Sequence, residues 1–160
     1  MNIYISSSWK NRERVRAIAK RLTELGHDVY DFTDPSCRNS PEIPPEKFPE
    51  EYDPDTMKYQ DYIQRPEWLL AVTENRQAIK RADFIVLLLP CGNDAHADWA
   101  FGVGMGKKSA VVGRPRKGER SPVHLWANYI LDSDDDLVGS IFPAIPATGK
   151  QSGIPGVPIP

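Results

Sequence analysis

Two carboxylates four residues apart, Asp94 and Asp98, fall where an apolar run gives way to a helical pattern, in the segment ADFIVLLLPCGNDAHADWAFGVGMGK at 82–107. At that spacing they share one face of a helix. The dipole near a helix amino terminus favours an ionised carboxylate, while a second carboxylate one turn away opposes it. An ionised carboxylate at the mouth of a cleft is what a glycosyl-transfer nucleophile requires. Capping and dipole compensation use the same residue types without any chemistry, so both roles stand. Asn93 or Asp94 suits the N-cap, since either side chain can accept from the free amides of the first turn.

The other polar groups that could act with them sit at the ends of apolar runs. Ser6, Ser7, Ser8 and Trp9 follow the first run, with Arg12 and Arg14 close behind; hydroxyls and free amides at a helix start suit an anion, and equally cap a helix. Trp9 can stack on a base or pack in the core. Asp31 closes the second run and is a candidate for a base edge or sugar hydroxyls. His27, His96 and His124 have no metal-ligand spacing, and Cys37 and Cys91 form no CxxC pair, so neither a metal site nor a disulfide framework is expected. His96 lies two residues from Asp98 and therefore on a different helix face.

The elements that must carry these residues alternate. A strand is predicted over 2–6, with Ile3 and Ile5 on one side and Tyr4 on the other. Val15, Ile18, Ala19, Leu22 and Leu25 repeat at helical spacing, and Gly26 stands where the helix stops. A second strand covers 27–32. Trp68, Leu69, Val72 and Ile79 mark a helix ending near 81, and 84–89 reads as a strand covered on both faces. A helix at 94–106, a strand at 109–113, a weaker strand at 129–131 and a helix over 134–141 complete the pattern. Gly102, Gly104 and Gly106 interrupt the third of these helices at ~1 kcal/mol each, which close approach to the sheet or a partner helix would explain.

Strands alternating with helices imply right-handed crossovers and a parallel sheet. The expected fold is flavodoxin-like: five parallel strands in the order 2-1-3-4-5, strand 1 central, with helices on both faces. Ligands in such sheets bind outside the carboxyl ends of the strands, at the switch between strands 1 and 3. That places Ser6–Trp9, Asp31 and Gly92–Asp94 around one cleft.

The chain has 160 residues, enough for one self-sufficient core. Twenty basic against 22 acidic residues leave a net charge of -2, which speaks against a dedicated nucleic-acid binder. The basic group Arg114, Arg116, Lys117 and Arg120 reads as a solvated turn ahead of a phosphate patch. No apolar run reaches the ~20 residues of a membrane span, and no signal peptide is evident. A cytoplasmic, reduced protein is expected. Of 15 prolines, seven fall between Pro35 and Pro66 and five between Pro143 and Pro160. The domain is therefore read as 1–142 with a proline-rich insertion at 33–66, followed by a tail at 143–160.

The pattern "AD, apolar strand, PCG, two polar residues, A-H, x, acidic, Gly/Ala-rich helix ending GK" resembles the nucleoside 2-deoxyribosyltransferase superfamily, in particular its phage and bacterial members. The opening IYISSSWKNRERV and the later LGHDVYDF match the same group. The resemblance covers roughly two-thirds of the chain, leaving out the insertion and the tail. It implies a flavodoxin-like fold and cleavage or transfer at the N-glycosidic bond of a (deoxy)nucleoside or nucleotide, without a cofactor. A TIR-like module binding a nucleotide or NAD derivative without turnover is the alternative it suggests. By position Asp98 falls where the family carries a nucleophilic glutamate, a departure that shortens the reach by roughly 1.5 Å. Asp83 matches an aspartate that helps hold the nucleoside, with a helix-to-strand turn as its other role. Ser6, Ser7 and Ser8 match the stretch around the sugar or 5'-phosphate. Asn128 matches loosely a polar residue that a neighbouring subunit contributes, which implies a homo-oligomer, dimer or tetramer.

Overall fold

The computed structural model describes residues 1–34, 52–119 and 121–142. Half of the proline-rich insertion (35–51), with Cys37 in it, and Arg120 and the tail lie outside the described residues. The sheet is parallel and five-stranded, in the order β2-β1-β3-β4-β5. Its strands are β1 (Asn2–Ser6), β2 (Asp28–Tyr30), β3 (Phe84–Leu88), β4 (Lys108–Val112) and β5 (Tyr129–Leu131). In this order β3, not β1, is central: β1 pairs with β2 and β3, and β3 pairs onward with β4. The strand with the longest apolar run takes the position with most cover, and all five β3 residues are buried.

Helices α1 (Arg12–Glu24), α2 (Tyr59–Ile63), α3 (Pro66–Arg81), α4 (Asn93–Gly104) and α5 (Asp134–Asp136) follow the strands, with α5 running into a π-type turn at Leu137–Ile141. On one face Val15, Ile18 and Leu22 of α1 pack with Ile3, Ile5, Val86, Leu88, Leu137 and Phe142. On the other, Ala78 and Ile79 of α3 and Ala95 and Trp99 of α4 pack with Tyr4, Ile85, Leu87 and Val111. Each large apolar side chain so buried contributes ~1.5–3 kcal/mol. Alternation in β1 sends Ile3 and Ile5 to the first layer and Tyr4 to the second, so one tyrosine points at α3 and α4.

Two boundary expectations change. Helix α4 starts at Asn93 with Gly92 as its N-cap and no side-chain cap, so neither Asn93 nor Asp94 caps it. In α3 only Ala78 and Ile79 reach the core; Leu69 and Val72 stay 56% and 63% exposed, because the amino-terminal half of the helix is not covered by the sheet. The α4 glycines divide by cause. A Cβ on Gly102 would come within 1.9 Å of Ile85 Cδ1, so close approach to the sheet requires it. Gly106 turns the chain at φ 78° after the helix end, and Gly104 faces open space.

Candidate active site

Helix α4 starts at the carboxyl end of β3 and packs back along the sheet, its Ala95, Trp99 and Gly102 face inward. Asp98 stands beside that face and is half-buried against α3 and β1. Its Oδ2 accepts from Tyr4 Oη at 2.8 Å and from Asn75 Nδ2 at 3.2 Å. Asn75 Oδ1 in turn accepts from Tyr30 Oη at 3.3 Å, which orients the amide so that its NH2 faces Asp98. The Tyr4 and Tyr30 rings stack at 5.5 Å on neighbouring strands. Both donors thus meet one carboxylate oxygen. Among the described residues Oδ1 takes no hydrogen bond.

Burial is the largest influence on Asp98 and pushes its pKa above the ordinary aspartate value. The bonds from Tyr4 and Asn75 work the other way by stabilising the charge, and the nearby Asp94 carboxylate adds to the upward push. The opposition expected between two carboxylates one turn apart is therefore present, with Asp94 working against ionisation of Asp98.

The remaining predicted residues fall into three groups. Gly92, Asn93 and Asp94 are exposed at the carboxyl end of β3, as the switch-point rule places them. Ser6, Ser7, Ser8 and Trp9 lie at the carboxyl end of β1. There Ser6 Oγ donates to Ala95 O at 2.9 Å, Ser7 Oγ donates to Leu88 O at 3.0 Å, and Ser8 caps a 3-10 turn at Trp9–Asn11. Trp9 leans on Phe32 with ring centroids 6.2 Å apart. Asp31, at the end of β2, is buried, and its Oδ1 accepts from Thr33 N and Thr33 Oγ1, both at 2.7 Å, closing a local turn.

Asp83 and Asn128 are at the other end of the sheet. Asp83 precedes β3 and accepts from the Asn2 amide at 2.8 Å. Asn128 precedes β5, accepting from Ser109 N at 2.9 Å and donating its own amide to Ser109 O. Both belong to the amino ends of the strands and so lie away from the switch-point cleft of their own chain. For Asp83 the turn role is the one the geometry supports. Arg14, expected to add charge for an anion, gives its guanidinium to Asp134 and to Leu89 O, and Arg12 pairs with Glu13 at the surface.

Tyr4, Tyr30 and Asn75 were not singled out by residue type. Asn75 carried a readable signal: it lies four residues before Ile79, one turn along the face of α3 that reaches the core. Tyr4 carried one in the strand alternation.

His96 points to the opposite side of α4. Its Nδ1 lies 2.9 Å from Gly92 O and 3.4 Å from Cys91 Sγ, and its Nε2 lies 3.0 Å from His124 Nε2. The pair borders a separate cavity of about 340 Å3 that also includes Glu119 and Ser121. Among the described residues no group of three or more His, Cys, Asp or Glu side chains is placed to hold a metal ion, and no helix is long and apolar enough to cross a membrane.

Among solved structures the chain is similar to a 2-deoxyribosyltransferase from the psychrotolerant bacterium Bacillus psychrosaccharolyticus. The TM-score is 0.54 at 18% identity, over 91% of this chain and 98% of that one. A CMP N-glycosidase of Clostridium botulinum aligns over 87% of this chain and 95% of its own, at 15% identity and a TM-score of 0.47. No family model and no curated protein matches the chain. The first likeness, at that identity, establishes a shared α/β fold.

Proposed function

We propose that this protein cleaves or transfers at the N-glycosidic bond of a (deoxy)nucleoside or nucleotide, with Asp98 as the nucleophile. The observation that carries the proposal is the asymmetric carboxylate: Oδ2 is held by Tyr4 and Asn75, and Oδ1 takes no hydrogen bond among the described residues. Two donors on one oxygen fix the group's orientation and favour its ionised form against burial. Attack of Oδ1 on the anomeric carbon breaks the glycosidic bond and leaves a glycosyl ester on Asp98; water or a second base then takes the sugar. The departing base needs a proton or a hydrogen bond, and no cofactor is required. The fold shared with a 2-deoxyribosyltransferase supports the same chemistry.

Substrate contacts are proposed for Gly92, Asn93 and Asp94, with the uncapped first turn of α4 offering amides to a sugar or phosphate. Trp9 is proposed to flank the base, with Ser6, Ser7 and Ser8 shaping the floor. A cytoplasmic homo-oligomer is also proposed; exposed Leu125, Trp126 and Ile130 beside the edge strand β5 supply apolar surface for it.

One feature favours binding without turnover: the burial of Asp98 disfavours the ionised carboxylate that attack requires. The two are separated by incubating the protein with deoxynucleosides, their 5'-monophosphates and NAD and following released base by chromatography. Release that disappears in Asp98→Ala supports the enzyme. Saturable binding with no release supports a nucleotide-binding module and sinks the nucleophile.

A further inference from the structure

Three successive main-chain carbonyls at the exit of β3 are each held by a side chain from the β1–α1 connection or the first turn of α1. Ser7 Oγ donates to Leu88 O at 3.0 Å, Arg14 Nη1 donates to Leu89 O, and Asn11 Nδ2 donates to Pro90 O at 2.7 Å. Asn11 Nδ2 also donates to Ser7 Oγ at 3.0 Å, linking two members of the row. Ser7 stands ahead of the 3-10 turn, while Asn11 and Arg14, three residues apart where that turn runs into α1, project the same way.

Arg14 continues the row to the next elements through a two-pronged pair with Asp134 at the start of α5. Gly113, just past β4, leaves the room for this: a Cβ there would stand 2.9 Å from Leu89 O and 3.2 Å from Arg14 Nη2, and its φ of 92° suits glycine. The turn so gripped leads directly into α4, which has no side-chain cap of its own to fix its start. Asp98 lies five residues into α4, roughly 8 Å along its axis. A tilt of about 7° at the turn moves Asp98 by about 1 Å, enough to break a 2.8 Å hydrogen bond.

We infer that Ser7, Asn11 and Arg14 form a positioning clamp that sets the seat of α4 and so keeps the Asp98 carboxylate against Tyr4 and Asn75. For turnover this rests on the proposed glycosidic chemistry; the seat itself can be tested without it. Asn11→Asp keeps the shape and turns the donor facing Pro90 O into an acceptor, and Arg14→Lys keeps charge but cannot serve Leu89 O and Asp134 together.

The test is an NMR titration of the Asp98 carboxyl carbon in the full chain, with and without Tyr4→Phe. In the wild-type background Tyr4→Phe raises the Asp98 midpoint, because a bond to the charged form is lost. In the Asn11→Asp and Arg14→Lys backgrounds the same change has no effect, because the carboxylate has already left the tyrosine. Val15→Ala, which weakens α1 packing without touching a carbonyl, lowers the melting temperature and leaves the Tyr4 effect intact. In the base-release assay the clamp variants lose about 10- to 100-fold in kcat with KM nearly unchanged. A Tyr4 effect that survives in both clamp variants, or that Val15→Ala removes equally, overturns the clamp. Absence of base release from the wild-type protein sinks the glycosidic chemistry and leaves the titration result standing.

Discussion

Asp98 carries a conflict between stability and chemistry. Its charge sits half-buried beside Asp94, offset by two hydrogen bonds, and its pKa is raised with burial as the leading cause. Asp98→Asn removes that charge and keeps the side chain's volume. Base release is expected to fall by several orders of magnitude with KM little changed, while the variant melts higher than wild type at neutral pH. Chromatography and thermal denaturation check the two halves; a variant that melts lower would show that the charge is not a strain on the fold. Tyr4→Phe removes one of the two donors without altering the packed ring. The Asp98 midpoint then moves further up, so the acid limb of the pH-rate profile shifts to higher pH and the plateau is reached later. An unmoved acid limb would detach Tyr4 from the ionisation that governs rate.

At the scale of elements, α4 is held against the sheet by what it lacks. Gly102 brings the helix onto Ile85, and a methyl group at position 102 would overlap Ile85 Cδ1 and crowd Ile79, so a side chain there forces Ile85 out of its packed rotamer or moves the helix off the strand. Gly102→Ala is expected to cost about 1–3 kcal/mol by overpacking, despite the better helix propensity of alanine. Gly104→Ala, two residues on and facing open space, is expected to gain about 0.5 kcal/mol by restricting the unfolded chain. Urea denaturation of both variants tests the contrast. Equal effects at the two positions would mean that propensity, not contact with β3, decides what α4 tolerates. Because Asp98 is one turn from Gly102 on the same helix, Gly102→Ala should also depress base release.

For the whole molecule, two histidines set the response to acid. Burial lowers the pKa of His27, with the Met1 ammonium acting in the same direction; burial and the neighbouring His96 lower that of His124, against the pull of Glu119. A base with a depressed folded pKa stabilises the fold fully above its unfolded value, about 6.5, and that stability is lost as pH falls through the folded value. Asp98 acts in the opposite sense: its contribution is present below the unfolded aspartate pKa of about 3.9 and lost as pH rises through the raised folded value. Unfolding just below pH 6.5 should therefore take up protons, and the melting temperature should drop as pH falls from there through the depressed folded values. Replacing both His27 and His124 with glutamine should flatten that drop. A slope unchanged in the double variant would assign the acid response to other groups.

The alternation of apolar runs, the helical repeat in α1, and glycine and proline at the element ends are local signals, and they marked the five strands; the order 2-1-3-4-5 followed from how alternating chains close into parallel sheets, and only the structure put strand 3, not strand 1, at its centre. Local signals also marked Asp98, since its place one turn into a helix after a buried strand is a matter of spacing along the chain. Which oxygen of Asp98 is held and which is free was not legible. The donors Tyr4 and Asn75 lie 94 and 23 residues away, and only the crossing of α3 and α4 over β1 brings them to it. The same holds for Asp83 and Asn128: their residue types suit a polar site, but the direction of a parallel strand decides which end of the sheet they occupy. Arg14 looked free for an anion because a sequence does not show the backbone carbonyls and the distant Asp134 that use it. Side-chain chemistry is written one residue at a time, whereas hydrogen-bond partners are allotted only once the chain has closed on itself.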